Sequence, residues 1–205
     1  MTSDQSARRL WLVRHGETEG QSSIRYHGSN DVPLSAVGRA QIGAIAPLLA
    51  GVEFARVVHS PLVRAAESAH ILAQLCQVPR ERLVAEARLR EISFGVCEGM
   101  TADEIAAAFP EFWRAHQAGM GDCFPEGELR SAFVQRVHAA AHELAAATAA
   151  GDILVVSHRG TVRQTLRALL RVPALQQDEF GVALGSVTTL RHEGDWRLEA
   201  FGLLP

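Results

Sequence analysis

The first residues that could do chemistry together are Arg14, His15, Gly16 and Glu17, four successive positions at the end of the apolar run 10–13. The run has the composition of a β-strand, so a cation and an imidazole fall on the turn where the strand ends. A guanidinium group offers a planar fork of N–H donors that matches phosphate oxygens. The pattern therefore predicts a phosphate site at this turn.

Two later stretches repeat the arrangement. Residues 58–64 and 156–160 each run from an apolar strand into a polar, charged turn. If the three strands are parallel, their carboxyl ends lie at one edge of the sheet, where ligands of open α/β sheets bind. Two guanidinium groups and two imidazoles around one hollow would select a dianion such as phosphate. The side chains expected to converge there are Arg14, His15, Arg64 and His158.

Short β-rich runs alternate with helical patterns in the parts of the chain that carry these turns. The runs 9–13, 56–59 and 153–157 are followed by helical patterns at 35–50, 61–77 and 161–170. This alternation is typical of a parallel sheet with crossover helices. Ser35 is expected to cap the first of these helices, and Ser60 the second.

The remaining segments predict a helical region and a closing hairpin. Thr101 and Glu104 have the spacing of a capping box before a short helix that Pro110 interrupts. A long helix is expected over 128–149, and a hairpin over 184–201.

The order of these motifs resembles that of the histidine phosphatase superfamily, also called the phosphoglycerate-mutase-like family. The Arg-His-Gly-Glu-Thr segment at 14–18 matches its signature, and the similarity extends from about residue 10 to residue 170. The other segments that resemble the family are 25–35, 60–65, 89–99, 125–128 and 156–163.

The resemblance implies a phosphatase that hydrolyses a small phosphomonoester without metal or cofactor, through a phosphohistidine on His15. The flanking arginines keep this imidazole neutral, as a nucleophile must be. Arg14, Arg64 and His158 would stabilise the transferring phosphoryl group. Glu91 takes the position of the family's general acid and base, and Glu17 and Glu98 are its alternatives.

Three further residues are expected to contact phosphate because they lie in the family's loop segments. Gln21 stands where the family commonly has asparagine, and His27 where it commonly has glutamine; both can hydrogen-bond phosphate. Gly28 follows His27 in the same loop. Arg159 departs from the family pattern, since a small residue usually follows the second histidine. It would either add an anion contact or fill space meant for substrate.

Taken together, the elements and the resemblance predict an α/β fold. We expect a three-layer α/β/α sandwich with a mostly parallel central sheet, an antiparallel edge strand and a small helical cap insertion at about 99–127. Residues 1–205 would form a single phosphoglycerate-mutase-like domain. The aromatic residues of the cap region are expected to pack as its core rather than to roof a substrate pocket; they are Phe109, Phe112, Trp113 and Phe124.

Composition limits the partners. The chain is 47% hydrophobic and 21% charged, as in ordinary globular proteins, and its net charge of −3 predicts no attraction to nucleic acid or to a membrane surface. Three cysteines without a paired spacing argue against a disulfide framework or a zinc site and for a cytoplasmic location. The expected partners are a phosphomonoester substrate and inorganic phosphate, and a homodimer stays open.

Two other functions remain as alternatives. A phosphoglycerate mutase-type transferase needs a second cationic pocket for the other anionic group of its substrate. The cap region offers Arg114 alone against five acidic residues, which favours hydrolysis. A non-catalytic phosphate-binding protein would need neither the nucleophile His15 nor the acid Glu91.

Overall fold

The structure is a computed structural model that describes residues 8–148, 151–170 and 181–205. In this part of the chain one sheet contains the strands β1 (Arg8–Arg14), β2 (Phe54–His59), β3 (Leu83–Ala85), β4 (Asp152–Ser157), β5 (Val187–Glu193) and β6 (Asp195–Leu203). The α-helices are α1 (Ala36–Ala44), α2 (Val63–Leu75), α3 (Ala102–Ala108), α4 (Pro110–Gln117), α5 (Arg130–Ala147) and α6 (Arg159–Leu170).

The strand order is β3-β2-β4-β1-β5-β6, and the first four strands of this order are parallel. β5 pairs antiparallel with both β1 and β6. The mostly parallel sheet is therefore confirmed. The predicted antiparallel edge strand is confirmed as well: β6 lies at the edge of the sheet and pairs antiparallel with β5. Val156 of β4 pairs with Val13 of β1 and His59 of β2, so the turns after these strands lie at one edge.

Side chains of β1 alternate between two hydrophobic cores, as the period of a strand requires. Leu10 and Leu12 pack with residues of α5 and α6 on one face of the sheet. Trp11 and Val13 pack with residues of α1 and α2 on the other face. Helices thus cover both faces, and the predicted three-layer α/β/α arrangement is confirmed.

Helix starts agree with the sequence at two positions and differ at one. The Ser35 side chain accepts a hydrogen bond from Gly38 N and caps α1, and Thr101 with Glu104 forms the predicted capping box of α3. The prediction that Ser60 caps α2 is wrong. That helix begins at Val63 after Leu62, which makes no side-chain cap.

Other helix and strand boundaries differ from the predicted ones by a few residues. The predicted long helix is α5, whose bounds lie inside 128–149; residue 149 lies outside the described residues. The predicted hairpin is β5 and β6, with a turn at Gly194, where φ is +83°. The three-residue strand β3 was not predicted, because so short a run shows no periodicity.

The segment expected to form the cap contains α3 and α4, and its aromatic side chains form a small core of their own. Phe124 is buried and packs against Phe94, with ring centroids 4.8 Å apart, and both lie near Tyr26. Phe109, Phe112 and Trp113 pack against the same cluster. The prediction that these residues form a core is confirmed.

No helix among the described residues has the length and apolar character needed to cross a bilayer.

Candidate active site

A cavity of about 290 Å³ opens at the sheet edge where β1, β2 and β4 end. The structure brings to it seven of the eight residues expected from the sequence, which are Arg14, His15, His27, Gly28, Arg64, Glu91 and His158. Gln21 does not line the cavity.

His15 and His158 are neighbours in space. Their ring centroids lie 5.1 Å apart with the planes inclined at 63°, and the two residues are only 4% and 1% exposed. Nδ1 of His15 lies 2.7 Å from the carbonyl oxygen of Gly16. Because a carbonyl can only accept, Nδ1 must carry the proton of this hydrogen bond. In the neutral ring, Nε2 is then the nitrogen with a free lone pair.

The neutral form of His15 is favoured electrostatically. Burial lowers its pKa well below the usual 6.5, and the charges of Arg64 and Arg14 lower it further. Protonation of a buried imidazole near two guanidinium groups would add a third positive charge and is therefore unfavourable. The ring therefore keeps its lone pair at neutral and mildly acidic pH.

His158 is held by Ser60, which the sequence had suggested only as a helix cap. Nε2 of His158 lies 2.8 Å from Ser60 Oγ, and Ser60 N donates to Val156 O at 3.0 Å. Nδ1 of His158 is buried without a hydrogen-bond partner among the described residues. Burial, then the charges of Arg64, His15 and Arg14, lower the pKa of His158 well below 6.5.

Backbone carbonyls fix the two arginines. The Nη1 and Nη2 atoms of Arg64 donate to Asn30 O and Gly28 O, both at 2.7 Å, and Arg64 is 1% exposed. Arg14 Nη1 donates to Val182 O at 2.7 Å. The Nε atoms of both arginines are buried and have no partner within the described ranges. Two rigidly held cations with unused donors are suited to binding an oxyanion.

Both arginines retain their charge at physiological pH. Burial lowers the pKa of Arg14 to about 10, and the positive charge of Arg159 contributes. Burial also lowers the pKa of Arg64, against the opposing effect of Glu91. The cavity therefore combines neutral imidazoles with permanent positive charge.

Glu91 is the carboxylate at the cavity. Its Oε2 accepts from Gly160 N at 2.9 Å and its Oε1 from Ile92 N at 3.1 Å. The alternatives Glu17 and Glu98 do not line the cavity. Oε1 of Glu98 instead accepts four hydrogen bonds, from Ser29 N, Ser29 Oγ, Ser93 Oγ and Phe94 N. Glu98 thus organises the loops around the site.

The loop residues differ in their placement. His27 is 8% exposed and burial lowers its pKa, while the carbonyl of Gly28 is occupied by Arg64. Gln21 has a left-handed backbone with φ of 60°, and its carbonyl accepts from Ile24 N and Arg25 N in a tight turn. This turn explains why Gln21 lies outside the cavity lining.

Arg159, which the sequence left open, lines the cavity. The positive charge of Arg159 contributes to the lowered pKa of Arg14, so the two cations are close enough to interact. Tyr26 and Phe94 also line the cavity, and sequence reasoning missed both. Within the described residues, no group of three or more His, Cys, Asp or Glu side chains is arranged to hold a metal ion.

Comparison with known proteins supports the resemblance in the sequence. The family model for the histidine phosphatase superfamily (branch 1) matches residues 10–203. A protein of Yersinia pestis named probable phosphoglycerate mutase GpmB is 32% identical over 167 residues, which cover 80% of this chain and 76% of the relative.

Solved structures agree in fold. The α-ribazole phosphatase of Shigella flexneri is 29% identical with a TM-score of 0.83, covering 95% of this chain and 96% of its own. The order of motifs in the sequence is similar to that of α-ribazole phosphatases as well. A mycobacterial glucosyl-3-phosphoglycerate phosphatase, solved with VO3, is 29% identical with a TM-score of 0.81, covering 96% and 99% of the two chains. The chain therefore belongs to the histidine phosphatase superfamily.

Proposed function

We propose that the protein is a metal-independent phosphatase that hydrolyses a small phosphomonoester through a phosphohistidine on His15. The observation that carries this proposal is the hydrogen bond from His15 Nδ1 to Gly16 O in a cavity with two buried arginines. It leaves Nε2 as a neutral nucleophile beside permanent positive charge.

In the first step, the phosphoryl group of the substrate lies against Arg14 and Arg64, and His15 Nε2 attacks phosphorus. The new N–P bond forms as the bond to the leaving oxygen breaks. Glu91, protonated at this stage, gives its proton to that oxygen. Arg14, Arg64 and His158 stabilise the charge on the equatorial oxygens of the loose transition state.

In the second step, Glu91 acts as the base. Its carboxylate takes a proton from water as the water oxygen attacks phosphorus. The N–P bond breaks, its electron pair returns to His15 Nε2, and inorganic phosphate leaves. Glu91 ends the cycle protonated, as it began.

A phosphoglycerate mutase-type transferase is the second candidate. The Yersinia relative carries that name, and arginines from α5 and α6 line a cavity beside the site. The scarcity of cations in the cap region thus no longer counts against a mutase. Hydrolysis is favoured because the α-ribazole and glucosyl-3-phosphoglycerate neighbours are both named phosphatases. A non-catalytic phosphate binder would have no need of Glu91 beside His15.

The test of the chemistry is hydrolysis of p-nitrophenyl phosphate at mildly acidic pH with and without a chelator. We expect turnover that the chelator does not change. We also expect a phosphoenzyme that His15→Ala lacks, detected by mass spectrometry after an alkaline quench because the N–P bond of phosphohistidine is labile in acid. Glu91→Gln should slow turnover while phosphate still binds, and Glu17→Gln is its control because that carboxylate lies outside the cavity lining. A phosphoenzyme that persists in His15→Ala would refute the proposal.

A second assay separates hydrolysis from transfer. Phosphoglycerate is supplied with and without bisphosphoglycerate, and released phosphate is compared with the interconverted isomer. We expect release of phosphate to dominate. Isomer formation in excess of phosphate release would establish the mutase instead.

A further inference from the structure

The backbone that carries Glu91 is held by one arginine of α5. Nη1 of Arg136 donates to the carbonyl oxygens of Arg88 and Arg90, both at 2.7 Å. Its Nη2 donates to the carbonyl oxygen of Glu91 at 3.1 Å. We call residues 88–91 the acid segment. A single guanidinium group thus binds three of its four carbonyls.

Arg136 is in turn held by Glu128. Nε and Nη2 of Arg136 donate to the two carboxylate oxygens of Glu128, both at 2.7 Å. With the three carbonyls this makes five hydrogen bonds, as many as a guanidinium group has N–H donors. The ring of Phe133 lies 4.9 Å from Arg136 Cζ. The orientation of the guanidinium group is therefore fixed by its contacts on several sides.

Glu128 belongs to the turn at 125–128, one of the segments that resemble the family. No residue of this turn lines the cavity that contains His15. Its backbone is tied to the residues that follow Glu91, because Glu128 N donates to Ser93 O at 3.0 Å and Val96 N donates to Pro125 O at 3.1 Å. The ion pair of Arg136 and Glu128 therefore joins this turn, α5 and the acid segment.

The carboxylate of Glu91 can reach its position only if the acid segment stays in place. The carboxylate accepts hydrogen bonds from Gly160 N and Ile92 N. The fourth carbonyl of the segment, that of Leu89, accepts from Thr161 Oγ1 at 3.2 Å. A displacement of about 1 Å at a catalytic group can cost about a hundredfold in rate. Contacts that hold the acid segment should therefore affect the transfer of the proton.

We propose that Arg136 is a positioning residue for the reaction. Together with Glu128 it fixes the acid segment, so that the carboxylate of Glu91 meets the leaving oxygen of the substrate. Neither Arg136 nor Glu128 lines the cavity, and both act through Glu91 without contact with substrate. This inference rests on the proposed phosphatase function and gives the turn at 125–128 a role in it.

The test compares two substrates by their kcat/KM, which covers the steps up to departure of the leaving group. Glycerol 2-phosphate needs a proton on its leaving oxygen, whereas p-nitrophenyl phosphate does not. Arg136→Lys keeps the positive charge but loses the planar fork of donors. We expect the ratio of kcat/KM for glycerol 2-phosphate to that for p-nitrophenyl phosphate to fall about tenfold or more. This ratio does not depend on how much of the sample is folded.

Arg88→Lys is the matched control. It makes the same change on the acid segment itself, where the Arg88 side chain pairs with Glu86 and Glu143 at 2.6 Å rather than with the backbone. The ratio should stay unchanged in this variant. Glu128→Gln removes the charge that holds Arg136 and should lower the ratio, which keeps the test open if Arg136→Lys does not fold.

A double-mutant cycle separates positioning from a general structural role. In a Glu91→Gln background, Arg136→Lys should lower kcat/KM for glycerol 2-phosphate by less than about twofold, because the group that it positions is already gone. A general structural role would reduce kcat/KM by the same factor in both backgrounds.

Three results would overturn the inference: an unchanged ratio in Arg136→Lys or, where that variant does not fold, in Glu128→Gln; an equal fall in Arg88→Lys; or an undiminished effect in the Glu91→Gln background. If the unaltered protein hydrolyses neither substrate, the proposed function fails separately. Deuterium exchange of Gly160 N–H, followed by NMR, then still decides the role of Arg136, because this amide donates to Glu91 Oε2. Arg136→Lys should speed the exchange and Arg88→Lys should not; equal rates in the two variants would refute the positioning role.

Discussion

Gly160 determines where the carboxylate of Glu91 can lie. Its N–H donates to Glu91 Oε2 at 2.9 Å, and a Cβ added at Gly160 would overlap Glu91 Oε1 and lie 3.2 Å from Cδ. In Gly160→Ala the carboxylate must move by about 1 Å, a displacement that can cost a catalytic group about a hundredfold in rate. We therefore expect kcat to fall by about 10²-fold, or ~2.7 kcal/mol in activation free energy.

Fold stability should not fall with it. The atom that meets the added Cβ is the end of a flexible side chain, and alanine is favoured over glycine in a helix by about 1 kcal/mol. Gly43→Ala on α1 is the control, because a Cβ there would meet nothing within 4 Å. Both variants should keep or raise the midpoint of urea unfolding, and Gly43→Ala should keep full activity.

The assay compares two leaving groups. An alkyl phosphate needs a proton on its leaving oxygen, whereas p-nitrophenolate leaves well without one. Gly160→Ala should therefore lose most of its rate on the alkyl phosphate and much less on p-nitrophenyl phosphate. An unchanged rate on the alkyl phosphate would refute the assignment of Glu91 as the acid.

Three further predictions concern the supports of the site. Ser60→Ala removes the hydroxyl bonded to His158 and should lower kcat about tenfold, with KM nearly constant; an unchanged kcat would refute this role. Glu98→Gln should reduce the free energy of unfolding in urea by about 1–3 kcal/mol with little change in kcat, the reverse of Glu91→Gln. Below pH 6.5 the unfolded chain binds protons at His15 and His158 that the folded protein does not bind, because burial lowers the pKa of both residues. The free energy of unfolding should therefore decrease as the pH is lowered, by up to ~1.4 kcal/mol per pH unit for each histidine. His158→Gln should make this dependence on pH less steep.

The sequence predicted the parts of the site that depend on strand ends. Arg14 is the last residue of β1, and His15 and His158 follow directly after β1 and β4. Parallel pairing brings such positions together whatever the loop lengths. Arg64 could be predicted for the same reason, because it is the second residue of α2, the helix that follows β2. For these residues the sequence motif and the parallel strand topology both predict a position at the same edge of the sheet.

The positions of residues that depend on loop conformation or strand register could not be predicted from the sequence. The exclusion of Gln21 follows from a positive φ, and the contact of Ser60 with His158 follows from the register of β2 and β4. The arginines of α6 were not predicted to line a cavity together, because only the folded structure places them beside the candidate site.

The position of β4 has a consequence for synthesis of the protein. This strand lies between β1 and β2, yet it follows β2 by about ninety positions in the chain. A ribosome adding roughly 5–20 residues per second needs several seconds or more to reach it, and until then β1 and β2 each lack their shared partner. The nascent chain thus carries unpaired strand edges that invite aggregation, and we expect ribosome-bound chains truncated before residue 152 to bind chaperones.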